Sequence, residues 1–152
     1  MDYFTYPLFC ALIANALAQI LKVFIYKIRT GAWNWHWVLS SGGFPSSHSS
    51  TVTALSLCIG FSEGFKGSLF AVTVIFSLIV IYDACHVRYY SGKNIEMTLS
   101  LINDLEKAGI VEPSEIYQQK MKTVLGHKVS EVIGGIVVGM VVAFMPVCLH
   151  LF

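Results

Sequence analysis

The chain has 152 residues, of which 55% are hydrophobic and 12% charged, with a mean hydropathy of +0.67 and a formal net charge of +1. Soluble domains carry about 25% charged residues, so this composition excludes an ordinary soluble globule and points to a membrane protein. The net charge of +1 says nothing about nucleic acid, no basic run that would bind it is present, and the length fits a single domain, 1–152.

In chain order, the first apolar segment runs over 7–28. It follows Met1-Asp2-Tyr3, with no basic stretch ahead of it, so it is expected to remain as a helix rather than to be removed as a signal peptide. It carries Asn15, Gln19, Lys22, Tyr26 and Arg29 at intervals of four, three, four and three. That spacing puts all five on one stripe of a helix. Polar side chains within a span normally face a protein interior or a wet cavity, so the stripe predicts a groove, with snorkelling of Lys22 and Arg29 to the interface as the alternative.

Next comes "SGGFPSSHSS", 41–50, ahead of a short apolar segment over 47–61. Pro45 suits a turn or a first helical position, and Ser46 or Ser47 suits a helix cap. A capped helix start offers N–H groups with partial positive charge, an anion site to which His48 could reach. A spanning helix needs about 20 residues, so this second segment must be tilted, buried by its neighbours or partly re-entrant.

The third apolar segment covers 67–89 and ends "YDACHVRYYSGKN". Asp83, His86 and Arg88 crowd this end. Asp83 could pair with a cation of the first span, and Arg88 could hold an oxyanion; a plain interfacial belt of charge and tyrosine fits equally. A polar insertion follows over 91–126. Ile95, Leu99, Ile102 and Leu105 fall at helical spacing with Gly109 as a stop, and "EPSEIYQQKMKTVLG" reads as a second short helix. The expectation is a helical hairpin over the membrane surface.

The fourth apolar segment, 129–152, opens "LGHKVSEVIGG". His127 and Glu131 are four apart, so a carboxylate can orient an imidazole. Gly135 and Gly139 form a G-x-x-x-G pair that predicts close helix packing, within the chain or in a homo-oligomer. Cys10, Cys58, Cys85 and Cys148 form no C-x-x-C pair, and neither a disulfide framework nor a zinc site is expected. A metal site from His48, Asp83, His86, His127 and Glu131 is disfavoured, because the spacing matches no recognised ligand pattern. The fold class is therefore all-α: a polytopic bundle of about four apolar helices, with a polar helical insertion before the last.

Taken together, the motifs resemble the type-2 phosphatidic acid phosphatase and vanadium haloperoxidase superfamily, and most closely its divergent membrane branch. Lys22 and Arg29 reproduce the spacing of its first motif, Pro45, Ser46 and His48 match its second, and Arg88, His127 and Glu131 approximate its third. Thr30, Ser47, Val87 and Glu131 depart from the pattern, as does the long gap from Arg88 to His127. The resemblance implies a lipid phosphatase. His127, oriented by Glu131, would be the nucleophile and His48 the acid. Lys22, Arg29, Arg88, Ser46 and Ser47 would hold the phosphate, supported by Asp83, Gln19 and Asn15. It implies no metal and no other cofactor. The substrate would be a phospholipid or polyprenyl phosphate such as phosphatidylglycerophosphate, phosphatidate or a polyprenyl diphosphate. A catalytically inactive head-group binder or scaffold is the alternative. The loops carrying the motifs share one membrane face and hold most of the lysines and arginines, which predicts a cytoplasmic site.

Overall fold

The computed structural model describes residues 6–34, 42–111 and 128–148, and the described residues are helical with no strand. Helix α1 spans Tyr6–Thr30, α2 Ser47–Glu63, α3 Ser68–Tyr82, α4 Arg88–Lys107 and α5 Val129–Cys148. A single π turn, Asp83–Val87, joins α3 to α4, so the two form one helix of 40 residues. At 1.5 Å per residue that helix is about 60 Å long, twice the thickness of a hydrocarbon core.

Three helices are long and apolar enough to cross a membrane: α1, the α3–α4 rod and α5. The chain is an integral membrane protein. Helix α2 has 17 residues, about 26 Å, and is buried by its neighbours, the second of the arrangements expected for it. It packs against α1, α3 and α5. Its composition explains the position: Ser46, Ser49, Ser50, Ala54 and Cys58 are all 0% exposed, and small residues let three other helices approach closely.

The outer helices reverse the soluble pattern. On α1, Ala11, Ala14 and Ala18 are buried while Leu8, Phe9, Leu12, Ile13, Ile20 and Phe24 are exposed. Large apolar side chains facing outward fit acyl chains, and small ones let the backbones meet. Helix α5 follows the same rule. Gly135 and Gly139 are buried, and a Cβ on Gly139 would stand 2.5 Å from the Ser50 carbonyl and 2.8 Å from Thr53 Cβ. The G-x-x-x-G face is therefore spent inside the chain, against α2. Of the two kinds of packing expected for this pair, within the chain or between copies, the one within the chain is what buries Gly135 and Gly139.

Hydrogen bonds within the bundle fix its register. Ser50 Oγ donates to the Ala14 carbonyl (3.1 Å) and Asn15 Nδ2 to Thr51 Oγ1 (2.9 Å), while Lys22, further along α1, meets Ser47, earlier in α2, so the two helices are antiparallel. Ser56 and Ser77 hydroxyls meet at 2.8 Å, and Ser77 also donates to the Val52 carbonyl (3.2 Å), tying α2 to α3. At the far end Tyr6 OH reaches the Ala143 carbonyl at 3.4 Å. The end of α1 and the starts of α2 and α5 thus share one end of the bundle.

The polar insertion differs from the expected hairpin. Its first helix is not separate from the third span, because Ser91 and Gly92 do not interrupt the rod. One glycine costs a helix about 1 kcal/mol, too little to break it without a proline, and a Lys93–Glu96 ion pair of 2.7 Å follows directly. Gly109 does stop it: φ is +69°, and Ile110 N–H folds back to the Leu105 carbonyl at 3.0 Å. This is glycine's C-terminal capping role. The second predicted helix lies outside the described residues.

Candidate functional site

The site begins with the predicted stripe of α1. Lys22 is 2% exposed, which rules out snorkelling. Gln19 and Tyr26 are half-buried, and Arg29 is exposed in the last turn. The stripe faces α2: Asn15 bonds Thr51, and Lys22 Nζ donates to Ser47 Oγ at 3.5 Å. Gln19 Oε1, between them, is buried without a hydrogen-bond partner.

The start of α2 is built as its sequence predicts. Ser46 adopts extended backbone angles, and its Oγ accepts the Ser49 N–H at 3.3 Å. Ser49 Oγ also donates to it at 3.1 Å. Helix N-termini carry partial positive charge within the first turn, and Lys22 meets that turn at Ser47. His48 stands in the same turn, partly buried.

Helix α5 supplies the third wall. The Ser46 N–H donates to the Glu131 carbonyl at 2.8 Å, locking the first turns of α2 and α5 together. Glu131 Oε2 accepts the Lys128 N–H at 3.2 Å, a carboxylate reaching back over its own helix start. Segments around residues 22, 47 and 131, far apart in sequence, are therefore brought together at the start of α2.

Three expectations change. Ser46 was expected to offer its N–H to phosphate, but it is 0% exposed, its hydroxyl is the α2 cap and its N–H is taken by the Glu131 carbonyl; Ser47 is the serine that meets the cation. Asp83 pairs with no cation of α1. It accepts from Arg88 Nε at 2.8 Å. The reason is local: a π turn bonds residues five apart, and Arg88 N–H already bonds the Asp83 carbonyl. Arg88 is thus engaged with its own helix. His86 stacks on Tyr82 at 4.8 Å and meets Tyr90 at 5.9 Å, an aromatic ladder on an exposed face. The predicted nucleophile, His127, lies outside the described residues.

Two contributors were missed. Thr51 holds Asn15, and its signal was available, since it lies four residues after Ser47 and so on the same face of α2. Phe44 covers Gly134, and nothing in the spacing of the motifs marks it.

The model of the Divergent PAP2 family matches residues 4–142. The chain belongs to the divergent PAP2 family. This PAP2-related chain is also 35% identical over 148 residues to the uncharacterized membrane protein YuiD of Bacillus subtilis (strain 168), covering 92% of each protein. No solved structure matches it significantly.

Proposed function

We propose that this divergent PAP2 chain is a membrane phosphatase that hydrolyses a lipid phosphate monoester or diphosphate through a phosphohistidine. The observation that carries the reading is the meeting of Lys22, Ser47 and the first turn of α5 at the start of α2. A buried ammonium beside a helix N-terminus binds an anion well, because both act where water competes little.

In this reading His127 attacks phosphorus, and a P–N bond forms as the ester P–O bond breaks. His48 gives its proton to the leaving oxygen. Water then attacks the phosphohistidine and releases phosphate. Glu131 orients His127. Lys22, Ser47, Arg29 and the α2 amides hold the equatorial oxygens, and Arg88 joins them only by leaving Asp83. Phosphoryl transfer rests on positioning and charge, and the set is equipped for both. The site lies where the spanning helix α1 ends and α5 begins, which supports a phosphate presented on a lipid, and the cationic loops at that end favour the cytoplasmic face.

The test is phosphate release from phosphatidate, phosphatidylglycerophosphate and polyprenyl diphosphate vesicles in excess chelator. His127→Ala is expected to abolish it, and His48→Ala to reduce it by about 100-fold or more. Full activity in His127→Ala would refute the reading.

The second reading, an inactive head-group binder or scaffold, draws on two observations. The Ser46 hydroxyl is occupied as a cap, and Arg88 is occupied by Asp83. Saturable binding of the same lipids without turnover favours it.

A further inference from the structure

Helix α2 keeps one face between two neighbours that are not packed against each other. Helix α1 meets it through Ser47 and Ser50, which bond Lys22 and the Ala14 carbonyl, with Thr51 at the edge of that contact holding Asn15. Helix α3 meets a different face, through Val52 and Ser56, which bond Ser77. Among the described residues α1 and α3 form no interface of their own. Helical spacing puts His48, Thr51, Leu55 and Ser62 on the strip of α2 between the two contact faces. All four are half-buried, whereas Ser47, Ser50, Val52, Ala54 and Ser56 beside them are buried. The result is a groove with α2 as its floor and α1 and α3 as its walls.

The groove starts at the first turn of α2, where Lys22 meets Ser47, and runs inward along the helix. Leu55 lies about 12 Å below Ser47, within one leaflet of hydrocarbon, about 15 Å deep. The floor has no unsatisfied hydroxyl to offer a polar ligand: Thr51 donates to the Ser47 carbonyl at 2.7 Å and Ser62 to the Ile59 carbonyl at 3.3 Å. Of the four strip residues only Leu55 is large and apolar, unlike the outward faces of α1 and α3, where Phe9, Ile13, Ile75 and Ile79 stand exposed.

We infer that this groove seats a hydrocarbon chain of the lipid whose phosphate binds at Lys22 and Ser47. This rests on the lipid-phosphate site proposed above and adds the path of the tail. Head and tail are joined in one molecule, and the groove is continuous with the anion site, so the lipid enters sideways from the bilayer and its tail aligns the phosphate. A soluble phosphate ester lacks that alignment.

The experiment is photolabelling of the full chain in phospholipid nanodiscs. The probe is phosphatidate with a diazirine midway along one acyl chain, and diacylglycerol with the same chain is the control. Crosslinked residues are mapped by peptide mass spectrometry. Phosphatidate is expected to label the strip around Leu55 at least about ten-fold more than diacylglycerol, equivalent to about 1.4 kcal/mol. Excess unlabelled phosphatidate should compete, and Lys22→Gln should lose the label. Equal labelling of the strip by both probes would be ordinary bilayer contact and overturns the inference, as does labelling confined to the outward faces of α1, α3 and α5. If Lys22→Gln does not fold, the two probes on the unmodified chain decide. The readout needs no turnover, so the failures separate. Phosphate release without a label on the strip sinks the groove alone. A phosphate-dependent label without release leaves the groove and sinks the phosphatase reading, and the absence of both sinks both.

Discussion

Gly135→Ala is the smallest change that tests whether α2 and α5 hold the site together. The new methyl would meet the Ser46 carbonyl, with Ser49 Cβ at 2.9 Å and the Ser46 carbonyl carbon at 3.1 Å. Those atoms belong to backbone or to a Cβ, so no rotamer change relieves the clash, and the helices must separate. Overpacking of this kind costs about 1–3 kcal/mol. The upper half is expected here, because separation also strains the Ser46–Glu131 bond of 2.8 Å. A loss of about 2 kcal/mol moves the folding equilibrium about 30-fold. Gly134→Ala is the matched control. Its methyl would meet only the ring of Phe44, at 2.5 Å, and an exposed ring can swing away. Equilibrium unfolding in mixed micelles should show Gly135→Ala less stable than Gly134→Ala by about 1 kcal/mol or more. Equal stabilities would refute the close α2–α5 contact and, with it, the geometry of the site.

Three further outcomes are expected. Ser46→Ala removes the α2 cap and should lower stability by about 0.5–2 kcal/mol, measured in the same micelles. Asn15→Ala and Thr51→Val, combined in a double-mutant cycle, should show a coupling of about 0.6–1.7 kcal/mol; zero coupling would mean that the α1 stripe does not face α2. Gly109→Ala places a side chain at φ +69°, a backbone cost of about 1–2 kcal/mol, and should speed amide exchange in the last turn of α4.

The helices were legible in the chain because helix formation is local: bonds run between residues four apart, and hydropathy marks each span. The α1 stripe, the cap at Ser46 and the stop at Gly109 were legible for the same reason. Ser91 and Gly92 misled, because a polar composition looks like a break whereas only backbone geometry decides one. The π turn also escaped, since no composition marks an i to i+5 bond. His127 carries the proposed chemistry and lies outside the described residues, so its part in the site rests on the resemblance.

Membrane character and the helical spans follow from one-dimensional patterns, because each depends on composition or on spacing within one helix. Two things depended on tertiary contacts: the depth of Lys22 and the use of Gly135 and Gly139 inside the chain. In both, segments separated by 25 residues or more compete for one small volume, and the arrangement that satisfies buried charge and close packing together cannot be read from either segment alone.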